Sequence, residues 1–420
     1  ADARDWRERL DRPVPVAADP GFSLRALAPP GGTTLPMIVL VDTATLRVET
    51  VLENPDPAEL SRALDGALGV RGAGDEALVD GLFHRNEWDM IQAIRTPGAP
   101  PPDPSDAVAD DPRAAALGKA LFFDGGLSPK GVSCASCHDP KKDLSDDLPE
   151  SHGVDEGDRK TPRIALAAFS RFQFWDGRAD SLWAQATGPI ENPTEMGSSR
   201  AFVAARVASA YADAYGELFP THAIGDATQV LVDVGKALEA YERTLRVQPT
   251  RLDAYAAGDF SALTPLEKQG LSVFAGAGCM QCHWGPRLTD DAFHVTRTAT
   301  GRVDGAADRG WIDGRAALAA SPFSSCGPYS DARCEPHALA PGTLGAFKTP
   351  SLRGVAGAQY FDHGGRAAAL SDVLLDYGSG GLDASDPRAV GVREPWLPRF
   401  GETTRWSIAT FLATLTSSGT

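Results

Sequence analysis

The chain has no apolar run long enough to cross a membrane. Its longest, Leu35 to Val41, is seven residues, whereas a spanning helix needs about 20. Basic residues are outnumbered, 40 against 56 acidic ones, leaving a net charge of −16. A nucleic-acid binder needs a basic footprint, so that class is excluded. Nothing at the start reads as a signal peptide, which leaves a mature exported form or a cytoplasmic protein. Methionine is scarce, at four (Met37, Met90, Met196 and Met280), and cysteine nearly so, at six. What is plentiful is glycine, 43, and proline, 32, in 420 residues with an ordinary 42% hydrophobic content. That combination predicts a folded protein of two or three domains with many loops.

The six cysteines fall in three pairs. Two pairs run straight into histidine: CASCH (Cys134, Cys137, His138) and CMQCH (Cys279, Cys282, His283). C-x-x-C-H reads as c-type haem attachment. The thiols sit about one helical turn apart and can form thioethers with the two vinyl groups of one porphyrin, and the histidine that follows meets the iron. Zinc binding and a redox dithiol are the rival readings of one such motif. Two copies, both ending in histidine at domain spacing, point to two covalently bound haems c. Covalent haem attachment takes place outside the bacterial cytoplasm, so the expected location is the periplasm. The third pair, Cys326 and Cys334, lies in the Gly/Pro/Ser-rich loop SPFSSCGPYSDARCEP. In an oxidising compartment a disulfide is expected there, contributing about 2–3 kcal/mol; a redox-active dithiol is the alternative.

The expected fold class is mainly α: two cytochrome c-like haem domains preceded by a small α/β fragment. Residues 1–75 carry two β-rich runs, Leu35 to Asp42 and Leu46 to Leu52, then an amphipathic helix, Ala58 to Leu68. Strand, strand, helix after a proline resembles the C-terminal half of a thioredoxin-like domain, with Thr34-Leu35-Pro36 at the cis-proline position. No C-x-x-C precedes it, so a docking role is favoured over a redox one. Residues 76–112 are placed as a linker, whose stretch 97–112, rich in proline and aspartate, reads as extended. The first haem domain is placed at 113–260 and the second at 261–420. Helical periodicity is read at Arg113 to Phe123, Arg200 to Phe219, Ala227 to Val247, Pro265 to Ala275, Leu370 to Tyr377 and Thr403 to Leu415.

From residue 117 onward the sequence resembles the bacterial dihaem cytochrome c peroxidases, including the MauG-type enzymes. Four stretches carry the likeness: LGKALFFDGGLSPKGVSCASCHDP, FWDGRADSLWAQATGPIENPTEMG, CMQCHWG and FKTPSLRGVAGAQYFDHGG. The resemblance implies that the haem on His138 is peroxidatic and the haem on His283 transfers electrons. It makes Glu195 the distal acid–base group, with Gln185 and Pro189 lining the same pocket, and Trp175 an electron relay between the haems; as plain core packing Trp175 would look the same in sequence. Counting from Leu370, Tyr377 falls where the peroxidases place a methionine ligand of the second haem. Tyrosine is the MauG-type choice, and a phenolate stabilises high oxidation states where methionine raises the potential. A core tyrosine is the alternative. His152 falls where many peroxidases carry a loop histidine that blocks the first haem; a solvated loop histidine is equally open. The asparagine of the family's inter-haem calcium site is Lys160 here, and the companion threonine and proline are replaced in GAQYF, so calcium is doubtful.

The implied function is reaction with hydrogen peroxide at the first haem to reach a high-valent, bis-ferryl-like state that oxidises a partner protein or electron donor. The alternative is a peroxide-detoxifying peroxidase fed by a small cytochrome or cupredoxin. A non-enzymatic electron carrier is disfavoured by Glu195, Gln185 and Trp175. The acidic surface suits a basic redox partner, docked directly or through the N-terminal segment.

Overall fold

The computed structural model describes residues 37–42, 47–53, 78–297, 307–334, 339–383, 385–386, 389–395 and 397–416. The chain divides into two units, Ala1–Met90 and Ile91–Thr420.

In the first unit, β1 (Met37–Asp42) and β2 (Arg47–Glu53) form an antiparallel pair in which Met37 faces Glu53 and Asp42 faces Arg47, with an irregularity between Leu40 and Val41. These are the two β-rich runs expected from the sequence. The expected helix Ala58 to Leu68 and the Thr34-Leu35-Pro36 position lie outside the described residues. The unit boundary falls inside α1 (Arg85–Gln92).

The second unit is helical: α2 (Pro112–Phe122), the one-turn α3 (Cys134–Cys137), α4 (Leu182–Glu191), α5 (Arg200–Ala210), α6 (Ala212–Leu218), α7 (Ala227–Glu242), α8 (Arg251–Ala256), α9 (Pro265–Gly276), α10 (Trp311–Ala320), α11 (Leu370–Ser379) and α12 (Glu402–Leu412). Capping fixes several of the starts. Asp111 accepts from Arg113 N with Pro112 in the first turn, and Thr264 and Glu267 form a reciprocal capping box around Pro265. Helix α7 is buried along nearly its whole length and packs against α2, α4 and α5. Gly118 lets α2 approach it, since a Cβ there would overlap the carbonyl of Ala237. In the C-terminal half α9 crosses α12 in the same way, with Gly270 against the carbonyl of Ser407.

Two helices differ from the periodicity. The segment Arg200 to Phe219 breaks at Tyr211, whose φ/ψ of −133/14 leaves the helix while its hydroxyl donates to Asp124 at 3.0 Å. Helix α7 stops at Glu242 rather than Val247, and the Arg243 side chain at its end donates to Asp110 (2.8 Å) and the carbonyl of Pro101 (2.9 Å).

Those two bonds also bear on residues 76–112, read from the sequence as an extended linker. Its second half packs as part of the unit: Trp183 Nε1 donates to Ser105 Oγ at 2.9 Å, and Ala107 N donates to Asp331 at 2.7 Å. Near the expected boundary at residue 260 the two haem halves are tied together. Arg353 makes a two-pronged buried ion pair with Asp253 (2.9 and 3.0 Å), joining the end of the first haem half to the second.

Candidate functional site

A cavity of about 770 Å³ opens between the helices of the second unit, lined by both C-x-x-C-H motifs. Its walls are largely apolar, with Ile164, Phe174, Leu238, Phe274, Leu374 and Phe400 among them. None of Cys134, Cys137, Cys279 and Cys282 is joined to another cysteine, whereas Cys326 is bonded to Cys334 with the Cα atoms 5.2 Å apart.

The two motifs are built alike. In each, a short turn of helix carries the cysteines and the histidine closes it: His138 N donates to the Cys134 carbonyl and His283 N to the Cys279 carbonyl, both at 2.9 Å. Each imidazole Nδ1 then meets a backbone oxygen, Leu144 at 3.1 Å and Leu288 at 3.0 Å. A carbonyl only accepts, so Nδ1 carries the proton and Nε2 keeps its lone pair for a metal. Burial holds both imidazoles below their usual pKa, hence neutral. It also pushes the thiols up, Cys134 and Cys279 to about 12 and Cys137 to about 11. A redox dithiol is favoured by a lowered thiol pKa, and burial acts the other way here. The first motif gathers no group of three potential metal ligands among the described residues. Among the described residues, the one group of three potential ligands within metal-binding range is Cys282, Asp290 and His294.

The donor set therefore fits haem: paired thiols, neutral imidazoles with a fixed tautomer, and an apolar cavity shared by both. His363 adds to this. It is 5% exposed, lines the cavity, and its Nε2 has no hydrogen-bond partner among the described residues. A bound group with an acceptor oxygen would satisfy it.

Gln185 and Pro189 come from α4, Glu195 from the turn that follows, and all three line the cavity. Pro189 sits inside its helix, and the turn after it is held by Met196 N donating to the Pro189 carbonyl (3.1 Å) and Gly197 N to the Asn192 carbonyl (2.8 Å). Asn192 Nδ2 donates to Glu195 Oε1 at 2.7 Å. Burial raises the Glu195 carboxyl above the usual range, against the opposing pull of Arg178 and Asn192. Trp175 also lines the cavity. Its indole N–H donates to the Lys160 carbonyl at 2.8 Å, and its ring stands 6.5 Å edge-on from His363, which stacks on Phe347 at 3.5 Å. Tyr377 projects from α11 into the cavity, where burial pushes its phenol pKa up and Cys282 and Cys279 act in the same direction.

His152 is the candidate that the fold does not bring in. It is exposed and outside the cavity lining, although its neighbours Ser151 and Gly153 belong to that lining. Its backbone carbonyl receives Cys137 Sγ at 3.8 Å. At Lys160, the ammonium lies 3.3 Å from both Ser145 Oγ and the Leu148 carbonyl and 3.9 Å from Asp146.

The sequence reading missed two charged groups. His294 is clamped between Asp290 (2.8 Å) and Glu394 (2.9 Å). Asp176 is shared by Arg159 (2.6 Å) and Arg178 (3.0 Å), and Arg159 grips Asp308 with two further bonds of 2.8 Å. Arg178 stands in the quoted FWDGR stretch, so its position was visible although its role was not.

Comparison with known proteins agrees with this geometry. Residues 112–261 match the family described as di-haem cytochrome c peroxidase. The chain is 37% identical to the methylamine utilization protein MauG of Methylorubrum extorquens over 275 residues, 64% of this chain and 70% of that one. It is 40% identical to cytochrome c551 peroxidase of Pseudomonas aeruginosa over 182 residues, 42% of this chain and 52% of the peroxidase. The fold resembles the diheme peroxidase BthA of Burkholderia thailandensis, with a TM-score of 0.59 and 25% identity over 73% of this chain and 87% of that one. The chain belongs to the dihaem cytochrome c peroxidase family, and is a peroxidase-type oxidoreductase with two covalently bound c-type haems.

Proposed function

We propose that the chain is a MauG-type enzyme, in which hydrogen peroxide is reduced at the haem of His138 and the oxidising power is passed through the haem of His283 to a partner protein. The observation that carries this reading is Tyr377, a half-buried phenol on the cavity wall near Cys279 and Cys282, where a methionine would mark an ordinary peroxidase. Within the second unit neither methionine substitutes: Met196 packs in the first haem half's core and Met280 lies between the second pair of cysteines.

When bound, haem supplies the iron that binds peroxide and the electrons that reduce it. The rest falls to the protein. Glu195, with basicity raised by burial and its orientation set by Asn192, takes a proton from the near oxygen of peroxide and returns it to the far one. The bonding pair leaves with the far oxygen, which departs as water; two electrons and two further protons convert the near oxygen to a second water. Placing such a group contributes about 10²–10⁴-fold. Gln185 and Pro189 shape the same face of the cavity. The Trp175 N–H is bonded to a carbonyl, which is too weak a base to remove its proton. Electron passage through the indole therefore leaves the proton in place and is readily reversed. Tyr377 would ligate the second iron and favour its oxidised state.

The signature of C-x-x-C-H attachment and the Cys326–Cys334 bond both suit a periplasmic protein, and the net charge of −16 suits a basic partner. The test is to add one equivalent of peroxide to the diferric protein and follow near-infrared absorption. A long-lived band that collapses in Tyr377→Met supports the MauG-type reading. Rapid turnover with a reduced small cytochrome or cupredoxin and no such band would replace it with the detoxifying peroxidase.

A further inference from the structure

The geometry points to Arg178 as a catalytic residue of the peroxide site, the cation that faces the departing oxygen as the O–O bond breaks. This rests on the reading that peroxide reacts at the haem of His138.

The position follows from a tight turn. Gly177 adopts a φ of +73°, and Phe174 a φ of +66° rare for a residue with a side chain. The chain thereby doubles back so that the Arg178 guanidinium lies over the Phe174 ring, 3.5 Å from its centroid. The Phe174 ring in turn reaches α4 at Gly188, 3.6 Å from where a Cβ would stand. Gly188 is the neighbour of Pro189 and one turn from Gln185. The aromatic thus seats the cation against the helix that carries the distal residues, and Arg178 lines the same cavity as Gln185, Pro189 and Glu195.

Arg178 is held through one of its nitrogens. Arg178 Nη1 bonds both oxygens of Asp176, at 3.0 and 3.1 Å. That carboxylate is already held by Arg159 at 2.6 Å. Asp308 in turn balances Arg159 with two bonds of 2.8 Å, so Arg178 is ion-paired with Asp176, and the bonds to Asp176 use its Nη1 alone. Its side chain is 34% exposed while that of Asp176 is 8%. The influence on the distal acid is visible as well, since Arg178 draws the Glu195 carboxyl down against the effect of burial.

A fixed cation here has a defined task. As the O–O bond breaks, the bonding pair stays with the departing oxygen, which is anionic until the Glu195 proton reaches it. A preorganised donor aimed at that atom stabilises the charge as it develops, and removing one donor of this kind costs about 10²–10³-fold in rate.

The experiment uses the diferrous holoprotein with carbon monoxide, read by infrared spectroscopy, beside stopped-flow reaction of the ferric protein with peroxide. A positive charge near the ligand's oxygen lowers the C–O stretch. Arg178→Gln should raise that stretch and slow the peroxide reaction about 10²-fold, with both haems still attached. Arg178→Lys, which keeps the charge, should stay near the parent frequency. If Arg178→Gln slows the reaction while the stretch stays put, the residue is a structural prop and the assignment is overturned; no change in either measurement overturns it equally. Should Arg178→Gln fail to fold, Arg178→Lys decides alone, a parental stretch and rate within tenfold of the parent supporting the assignment and any larger loss refuting it. Failure of the underlying reading looks different: the parent protein itself would then bind no carbon monoxide.

Discussion

The two haem halves solve the near side of the site identically and the far side differently. Each has a C-x-x-C-H turn, a backbone carbonyl a few residues on that fixes the histidine tautomer (Leu144, Leu288), and a helix crossing that needs a glycine (Gly118, Gly270). Beyond the iron position they part. We assign the first half an acid–base carboxyl, an amide and a cation, Glu195, Gln185 and Arg178, and the second half one phenol, Tyr377. Groups that move or neutralise protons suit bond cleavage, whereas an anionic ligand suits electron storage. The shared side makes the protein a dihaem cytochrome, and the unshared side decides which haem meets peroxide.

The comparison breaks most visibly at Glu195. Glu195→Gln should slow the stopped-flow reaction with peroxide about 10²–10⁴-fold, whereas Tyr377→Phe should leave the first step within about tenfold; equal losses would erase the division of labour. The next effect concerns how the halves are joined. Removing Arg353, 2% exposed, strands the Asp253 carboxylate at 10% exposure, so Arg353→Met should cost about 3–5 kcal/mol in urea unfolding. A cost under about 1 kcal/mol would mean that the halves are stable apart.

A smaller effect separates the halves by pH. Burial pushes Glu242, on the first half's cavity wall, up to about 8, whereas in an unfolded chain glutamate titrates near ~4.3. The folded state therefore holds a proton that the unfolded state has lost. Its contribution to stability is complete below about pH 4.3 and is lost as pH rises through about 8. Glu242→Gln should flatten that part of the stability profile by up to a few kcal/mol; an unchanged profile would show that Glu242 ionises freely. The smallest expected change is in redox poise: Tyr377→Met should raise the potential of the second haem and leave the first unmoved, measured by spectroelectrochemical titration.

Much of this was legible in the sequence because the informative residues are contiguous. Cys134 to His138 and Cys279 to His283 need only local spacing, and the Gly/Pro-rich loop around Cys326 announced its bond. Periodicity found α2, α9, α11 and α12 to within a residue or two at most ends, because each buries one regular face. What escaped were contacts between segments far apart in the chain. Asp176 with Arg159 and Asp308, His294 with Glu394, and Arg243 with Pro101 depend on tertiary approach, which no local pattern encodes. The same holds for residues 97–112. Their prolines and aspartates read as linker, yet Ser105 and Asp110 are ordered by partners on α4 and the end of α7. His152 shows the converse, since a motif position alone did not place its ring in the cavity.

Electron paramagnetic resonance of the diferric holoprotein, taken with and without Tyr377→Phe, tests the asymmetry most directly. The expected result is one high-spin signal, from an iron held by His138 alone, and one low-spin signal that changes when the phenol is removed. Two low-spin signals, both indifferent to the substitution, would contradict it.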